Sequence, residues 1–459
     1  MAEWGRAEPL SAYRYDNARS GYTPEVLNAD LNLRWTFNPT HPPKPAWPAP
    51  AAELPRMHED NAFHAVIAEQ TVFFGSSVTD RIMAIDAQSG ELRWSFQTEG
   101  PVRFAPTYHQ GRIFAGADDG YVYCLDAGDG SLIWKYRPGL SPEKLIGNGR
   151  MISMWPIRTN VLVDHETAYF AAGVFPYEGI YICAVNVQDG DLIWKNDTIG
   201  DYAHELEYGG ISPHGYLLAS EDILFVPSGR AMPAAFDRKD GKFLYYASPG
   251  AKRGGTWALL CEDQLIAGVD YSGTPHKVSY DVSTGSRTNE VFASAHGLDM
   301  VVHDQYTYVL ARDLVYAIDR QAHIDALQKI SQLDNESKQS SQELNDLRKQ
   351  RSSLNADERK DLDRRIDQLT QRIFQIQEQK DQLQNAGLLW DYPGKGFQRL
   401  IVSGNTVYVG GENLVLGIDA ETGKEVWRDR IEGNAVGLAA AEGCLVISSD
   451  AGPVYCFSE

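Results

Sequence analysis

The stretch Ala84-Ile85-Asp86-Ala87-Gln88-Ser89-Gly90-Glu91-Leu92-Arg93-Trp94 decides the fold, because the chain repeats its pattern. An apolar pair leads into a polar turn, in which Asp86 can hydrogen-bond its own backbone and Gly90 can adopt a positive φ angle. A second strand follows the turn and contains Trp94. The stretch therefore predicts a β-hairpin.

The same frame recurs along most of the chain, with an apolar pair, an Asp or Asn, a Gly four residues later and usually an aromatic residue at the end. The further copies are 124–134, 184–194, 235–245, 279–289 and 417–427. One more copy is split, with Ala317-Ile318-Asp319 before a long insertion and Leu388-Leu389-Trp390 after it. A repeated unit of this kind buries its apolar face against its neighbours, which indicates one closed array.

Counting blades on this hairpin predicts the architecture. Seven blades of four strands span about 63–96, 102–137, 154–195, 211–246, 254–291, 296–391 and 397–430. The last segment, Val436 to Phe457, supplies only three strands, and Leu31 to Phe37 reads as the missing fourth. We therefore expect an all-β, eight-bladed propeller that is closed by an N-terminal strand and leaves no free edge.

Three further segments complete the predicted organisation. Residues 1–30 are polar and irregular, and residues 38–62 form a Pro-rich extended strap within the propeller of 31–319 and 388–459. The insertion, 320–387, is rich in charged residues and contains no Pro and no Gly before Gly387. Its apolar residues keep helical spacing, which predicts an antiparallel coiled-coil hairpin in blade six.

Strand order places this insertion on the face opposite the mouth of the central funnel. Two roles for the hairpin remain open, a solvated strut or an arm for a protein partner or for self-association.

Composition excludes several function classes. The net charge of −20 argues against a nucleic-acid partner and against an anionic membrane surface. No stretch approaches the roughly 20 apolar residues that span a bilayer. Residues 1–9 lack the apolar core of a secretion signal, so we expect no signal peptide in this chain. The five cysteines are expected to be small core residues.

The repeat Ala-x-Asp-x-x-x-Gly-x-x-x-Trp resembles the tryptophan-docking repeat of the quinoprotein alcohol dehydrogenase-like propellers. The resemblance covers residues 31–319 and 388–459. The superfamily includes dehydrogenases that use pyrroloquinoline quinone (PQQ) and also non-catalytic scaffolds. The resemblance implies a periplasmic or otherwise extracytoplasmic location.

The dehydrogenase features of that superfamily are matched only in part. Gly255-Thr256-Trp257 looks like the tryptophan that floors the cofactor, and Glu178 lies in a loop comparable to one that supplies a calcium ligand. Ser228-Gly229-Arg230 carries a cation where the family has a further calcium ligand. Asp299 lies two positions later than the family's catalytic Asp, and the chain has no adjacent cysteines for the disulfide lid.

We therefore expect no catalytic residue, no metal site and no cofactor, with PQQ and calcium as the alternative.

The mouth of the funnel holds the candidate site. Alignment of blades puts Arg103, Arg158 and His214 at one depth of three consecutive innermost strands, and Arg230 lies in a loop on the same face. Trp155 and Trp257 are expected nearby. Guanidinium forks suit a carboxylate or phosphate, so these six residues form a candidate site for a small anion. Alternatively, each Arg bonds acids or carbonyl groups of neighbouring blades.

Other histidines and acids receive simpler interpretations. His58, Glu59 and Asp60 are metal-ligand types, but three adjacent side chains seldom converge on one ion. His64, His296 and His303 are interpreted as strand or loop histidines satisfied by neighbours.

The sequence thus predicts a non-catalytic propeller scaffold for ligand binding or protein–protein interaction, or one module of a larger extracytoplasmic protein. The alternatives are a PQQ-dependent oxidoreductase and a sugar- or carboxylate-processing enzyme that uses the funnel.

Overall fold

Eight small antiparallel sheets surround a central channel, and each sheet is one blade of a propeller. The computed structural model describes residues 10–28, 30–47, 57, 59–147, 149–200, 210–229, 231–247, 255–268, 277–288, 297–311, 313–351 and 355–459. The predicted eight-bladed fold with an inserted helical hairpin is confirmed.

The strands that precede the first blade are β1 (Leu10–Ser11), β2 (Tyr22–Thr23) and β3 (Asn32–Phe37). Blade one contains β4 (Ala65–Ala68), β5 (Thr71–Ser76), β6 (Arg81–Asp86) and β7 (Leu92–Gln97). Blade two contains β8 (Thr107–His109), β9 (Arg112–Gly116), β10 (Val122–Asp126) and β11 (Leu132–Tyr136). A separate two-stranded sheet follows, β12 (Lys144–Gly147) with β13 (Arg150–Ser153).

Blade three contains β14 (Leu162–Asp164), β15 (Thr167–Ala172), β16 (Tyr181–Asn186) and β17 (Leu192–Asn196), with a 3-10 helix at Pro176–Glu178. Blade four contains β18 (Leu218–Ala219), β19 (Ile223–Val226), β20 (Ala234–Asp237) and β21 (Phe243–Tyr246). In blade five the described strands are β22 (Ala258–Cys261), β23 (Gln264–Ala267) and β24 (Val278–Asp281).

Blade six contains β25 (Asp299–His303), β26 (Tyr306–Ala311), β27 (Leu314–Asp319) and β28 (Leu388–Pro393). Blade seven contains β29 (Phe397–Ser403), β30 (Thr406–Gly411), β31 (Leu414–Asp419) and β32 (Glu425–Asp429). Blade eight contains β33 (Ala435–Ala441), β34 (Cys444–Ser449) and β35 (Val454–Ser458), and β3 is its outermost strand.

The N-terminal strand closes the ring, as predicted. β3 pairs antiparallel with β35, and Trp35 lies opposite Cys456. The indole nitrogen of Trp35 donates a 2.9 Å hydrogen bond to the carbonyl of Ala87 in blade one. Trp427 of blade seven donates an equal bond to the carbonyl of Leu31. Blade eight is therefore held to both of its neighbours through β3.

Where the structure describes its last strand, the repeated hairpin joins one blade to the next. Trp94 donates a 2.9 Å hydrogen bond to the carbonyl of Ala127 in blade two, and its ring covers Gly130. Gly130 has φ +75°, and a Cβ atom there would lie 2.6 Å from the indole. The turn therefore needs glycine both for its backbone conformation and for the close approach of the tryptophan.

The helical hairpin lies between β27 and β28. Helix α1 (Arg320–Gln350) begins at Asp319, whose carboxylate accepts a 2.9 Å hydrogen bond from the N–H of Ala322. Helix α2 is Ala356–Leu383. Ion pairs join the two helices along their length: Arg351–Asp363, Arg365–Glu343, Arg372–Glu336 and Lys380–Asp334. Within the described residues, no helix combines the length and apolar character needed to cross a membrane.

Two faces of the disc can now be distinguished. We call the face where the innermost strands begin the funnel face, and the helical hairpin is on the other face because strand direction alternates. On that opposite face, residues 10–23 enter the central channel, and we call them the N-terminal plug. The polar sequence of residues 1–30 predicts an irregular segment, whereas residues 10–23 contain β1, paired with β8, and β2, paired in parallel with β29.

The N-terminal plug contacts every blade. Its hydrogen bonds and strand pairings reach, from blade one to blade eight, Ile67, Tyr108, Val163, Leu217, Leu260, Asp299, Val402 and Ala440. On the funnel face, the described part of the strap crosses the channel mouth. There the carbonyl of Lys44 accepts a 2.7 Å bond from Arg103, and the N–H of Ala46 donates a 2.7 Å bond to Asp60. Described residues of the chain itself therefore lie at both ends of the channel.

Candidate functional site in the central funnel

Arg103 and Arg158 converge on one carboxylate, that of Asp118 in the loop between β9 and β10. The Nε atom of Arg103 lies 2.8 Å from Asp118, and the Nε atom of Arg158 lies 3.3 Å from it. All three side chains are buried. Burial alone would raise the pKa of Asp118, but the two guanidinium groups outweigh burial and lower it. Asp118 is therefore a buried, ionised partner for both arginines.

The strap supplies the second acid of this cluster. Asp60 lies 3.2 Å from Nη1 of Arg103, and burial raises the pKa of Asp60 although Arg103 opposes the shift. Trp47, also on the strap, has its ring 5.5 Å from the guanidinium carbon of Arg158. The two arginines thus face two carboxylates, and their charges balance when both acids are ionised.

His214 lies beside this cluster in a row of aromatic rings. Its ring is 5.3 Å from that of Phe104, which is 5.3 Å from Tyr216. Tyr216 stacks at 3.6 Å on Tyr13 of the N-terminal plug, and Tyr13 meets His64 edge-on. Burial lowers the pKa of His64 to about 4 and that of His214 to about 3, so both imidazoles are neutral at pH 7.

A second polar cluster surrounds Asp299 at the start of β25. Arg14 of the N-terminal plug donates to both carboxylate oxygens, at 2.8 and 3.0 Å. Trp257 donates a 2.9 Å bond from its indole nitrogen, and the backbone N–H of Leu400 donates at 3.1 Å. Burial would raise the pKa of Asp299, but Arg14 and Arg399 outweigh it and lower the pKa.

Glu59 and Arg399 connect this cluster to the strap. Their side chains form a 3.0 Å ion pair, and the hydroxyl of Tyr13 lies 3.5 Å from Glu59. Glu59 and Asp60 therefore face different partners, although they are adjacent in the sequence. Among the residues that the structure describes, no three His, Cys, Asp or Glu side chains are grouped so as to hold a metal ion.

Lys277, at the edge of β24, covers the ring of Trp257. Its ammonium nitrogen is 3.7 Å from the ring centroid and donates a 3.2 Å hydrogen bond to the carbonyl of Gly268. The side chain is buried, and burial lowers its pKa to about 7. Among the residues that the structure describes in this part of the funnel, Lys277 is thus the one whose charge changes near neutral pH.

The structure brings Arg103, Arg158 and His214 together and distributes the other predicted site residues differently. Trp257 belongs to the Asp299 cluster. Trp155 donates a 2.6 Å bond to the carbonyl of Glu178 and packs against Tyr181. The tryptophan found beside Arg158 is Trp47. Arg230, His58 and His296 lie outside the described residues.

The sequence did not single out Asp118, Arg14, Arg399 or Lys277 as members of this funnel. Asp118 precedes Asp119-Gly120, a common turn composition, and so carried no distinguishing signal. The register that aligned Arg103 with Arg158 could have found Arg399, which lies near the start of β29 in blade seven.

Comparison with known proteins gives the following matches. A sequence model of the family described as outer membrane protein assembly factor BamB matches residues 32–198, 155–323 and 368–459. Tetrathionate hydrolase of Acidithiobacillus ferrooxidans is 26% identical over 182 residues, which are 37% of this chain and 32% of that protein. The dehydrogenase subunit of the quinone alcohol dehydrogenase of Gluconobacter oxydans is 25% identical over 168 residues, 33% of this chain and 20% of that protein.

Among solved structures, a europium-containing methanol dehydrogenase superposes with a TM-score of 0.61 at 12% identity, covering 98% of both chains. At this identity the likeness concerns the fold alone. This chain matches about a third or less of the length of the two curated relatives.

Proposed function

We propose that this chain, which belongs to the family of the outer membrane protein assembly factor BamB, is a non-catalytic propeller scaffold that binds other proteins outside the cytoplasm. The proposal rests mainly on one observation: the charged groups of the funnel form ion pairs with one another, above all Asp299 with Arg14. A funnel whose acids and bases are already paired offers a substrate few reactive groups.

Asp299 is the residue nearest in sequence to the catalytic aspartate of the dehydrogenases. A general base must accept a proton from the substrate, so its pKa should lie near the working pH. Here Arg14, Trp257 and Leu400 donate to the carboxylate, and its pKa is lowered. Arg14 also opposes a divalent cation at the same oxygens, because two positive charges would compete for them. These contacts favour a structural role for Asp299.

The residues around Trp257 fit PQQ poorly. A planar cofactor would stack on the indole, but the ammonium group of Lys277 lies over that ring at 3.7 Å. Glu178, the loose match to a calcium ligand, is exposed, and its carbonyl accepts a hydrogen bond from Trp155. The chain also lacks the adjacent cysteines of the disulfide lid. These features favour the scaffold over the PQQ-dependent oxidoreductase.

A small anion is a weaker candidate ligand than a protein. Arg103 and Arg158 would attract a carboxylate or phosphate, but Asp118 and Asp60 already occupy their hydrogen-bonding groups. An anion would therefore have to displace a buried carboxylate, which costs more than binding at free guanidinium groups. We keep the anion site, formed by Arg103, Arg158 and His214, as a secondary proposal.

The helical hairpin, residues 320–387, is part of the proposal as a second place for a partner or for self-association. Its described outer surface is polar except for Phe374 on α2, whose side chain is 67% exposed. An exposed aromatic ring on a long projecting arm is a suitable contact for another protein.

The decisive experiment compares cofactor binding with turnover. Purified protein is titrated with PQQ and calcium while tryptophan fluorescence is recorded, and dye-linked alcohol oxidation is then assayed. We expect no saturable quenching and no alcohol-dependent dye reduction. Asp299→Asn is the matched variant, since it removes the carboxylate charge and keeps the shape. If the wild type oxidises alcohol and Asp299→Asn does not, the scaffold proposal is wrong and the protein is a PQQ-dependent oxidoreductase.

A further inference from the structure

We propose that the free edge of β12 binds an extended, partly acidic segment of a partner protein, which adds a third strand to the sheet β12–β13. This inference rests on the proposed scaffold function and names the chemistry of the partner. The sheet lies in the connection between blades two and three, on the funnel face. This two-stranded sheet is separate from the four-stranded blades.

The backbone of β12 has one edge that no described strand occupies. β12 pairs with β13 in the register Lys144–Ser153, Leu145–Ile152, Ile146–Met151 and Gly147–Arg150. The N–H of Ser153 donates a 2.7 Å bond to the carbonyl of Asp118, so it points away from β12. Because hydrogen-bonded and non-hydrogen-bonded pairs alternate, the N–H and C=O groups of Lys144 and Ile146 also point away from β13. Within the described part of the chain, no strand pairs with that side of β12.

Apolar side chains accompany this edge. Ile146 is 77% exposed and Met151 is 53% exposed, and the two lie directly opposite each other on one face of the sheet. Leu140, just before β12, is 78% exposed. An exposed apolar cluster beside an unpaired strand edge favours aggregation unless a specific partner covers it.

The sheet is held firmly in place. Both carboxylate oxygens of Asp80 lie 2.5 Å from Nη2 of Arg150, and Nη1 of Arg150 bonds the carbonyl of Val78 at 3.1 Å. The ammonium group of Lys144 lies 2.8 Å from Glu99. Ile152, on the inner face, is 5% exposed and anchors the sheet in the protein. An edge fixed in this way loses little conformational entropy when a strand is added.

Charge indicates what the added strand carries. Asp80 and Glu99 are engaged by Arg150 and Lys144, so they are not available to repel an acidic partner. Lys44 is exposed. It lies beside the tip of the β12–β13 hairpin, because its ammonium nitrogen would be 3.5 Å from a Cβ atom at Gly149. A partner strand with apolar residues and an acid near Lys44 fits this edge, and strand addition supplies its backbone bonds.

The test uses defined peptides. A random nine-residue phage library is selected on the full chain, and the enriched sequences are synthesised as fluorescent probes for anisotropy titration. We expect alternating apolar residues with an acid near one end. Ile146→Pro removes the outward N–H, a change that strand edges tolerate, and should weaken binding by about tenfold or more. Ile146→Thr keeps the N–H and should weaken binding by about threefold, and Lys44→Glu should weaken the acidic probes.

Three outcomes would overturn the inference. Peptides could bind Ile146→Pro as tightly as wild type while both melt alike, or be enriched equally on a variant with residues 144–153 replaced by a Gly-Ser turn. Light scattering could instead reveal a dimer that Ile146→Pro abolishes, which would make a second copy the occupant. Each result leaves the cofactor and turnover assay unchanged, so failure here is distinct from failure of the scaffold proposal.

Discussion

At the scale of single residues, the polar interior of the funnel depends on pairings that cross the ring. Arg103 and Arg158 come from two blades and share Asp118, and Arg14 reaches Asp299 from the other end of the chain. Removing one member of such a pair leaves a buried charge without a partner, which typically costs about 3–5 kcal/mol. Lys277 differs because its main contacts are a ring and a carbonyl group.

Replacing Lys277 by Met should stabilise the protein at neutral pH. Burial lowers the pKa of Lys277 from 10.5 to about 7, so between these values the unfolded chain binds a proton that the folded chain does not. The stability of the wild type therefore rises with pH across this window. We expect Lys277→Met to be more stable by about 2–4 kcal/mol at pH 7, with the gain shrinking towards pH 10.

Urea unfolding at pH 7, 8, 9 and 10 measures this difference. Lys277→Arg is the control, because a permanently charged guanidinium should be less stable than wild type throughout. A Met variant no more stable than wild type at pH 7 would mean that the contact with Trp257 outweighs desolvation.

The sequence aligned Arg103, Arg158 and His214 but singled out neither Arg14 and Arg399 nor the acid that Arg103 and Arg158 share. The register of the innermost strands placed Arg103, Arg158 and His214 at one depth, since each follows the same blade geometry. Their acceptor, Asp118, lies on a loop, and nothing distinguishes it from the other 61 acidic residues among the 62 of the chain. Trp47 and Asp60 lie on the strap, whose path over the funnel follows no repeat.

At the scale of elements, the helical hairpin is joined to the propeller chiefly at its base. Arg320 lies 2.7 Å from Glu262 and contacts the sulfur of Cys261 in blade five. The two helices hold each other through ion pairs and a few buried residues, among them Leu333, Leu344 and Ile376. The hairpin should therefore be separable from the ring.

Deleting residues 322–386 and bridging the gap with a short Gly-containing turn should leave the propeller folded, because the insertion replaces one tight turn. We expect a melting temperature within about 4 °C of the wild type, as Arg320 and its contacts remain. Light scattering on both forms reports self-association. Phe374→Ser is the matched variant, and it should reproduce any loss of mass if the arm acts through that ring. Equal masses for all three forms would mean that the helical hairpin is a solvated strut and does not mediate self-association.

The helical hairpin was predictable because its helical spacing and lack of Pro and Gly contrast with the strands around it. The N-terminal plug was not, because β1 and β2 have two residues each and show no alternation. Backbone groups and single side chains attach it to the ring; for example, the N–H of Ala440 donates a hydrogen bond to the hydroxyl oxygen of Tyr15. Contacts of this kind leave little pattern in a sequence.

At the scale of the whole molecule, the ring is closed by the beginning of the chain. Deleting residues 1–37 removes β3 and the N-terminal plug together, so blade eight loses its outermost strand and the channel loses contacts to every blade. We expect the truncated chain to lose the single cooperative melting transition of the full chain.

Circular dichroism and calorimetry on both forms measure this, and deletion of residues 1–9 alone is the control that should melt like the full chain. A truncated protein with an unchanged cooperative melt would show that the ring closes without β3. Ring closure was predictable by counting, since seven complete blades left three strands at one end and one strand at the other.

The N-terminal plug also constrains the order of events during biosynthesis. Residues 10–23 are synthesised hundreds of residues before Val402 and Ala440, to which they bind. A nascent chain can pack its early blades against one another, but the ring is incomplete until blades seven and eight have emerged. Residues 10–23 therefore acquire their partners in blades seven and eight only after those blades have been made.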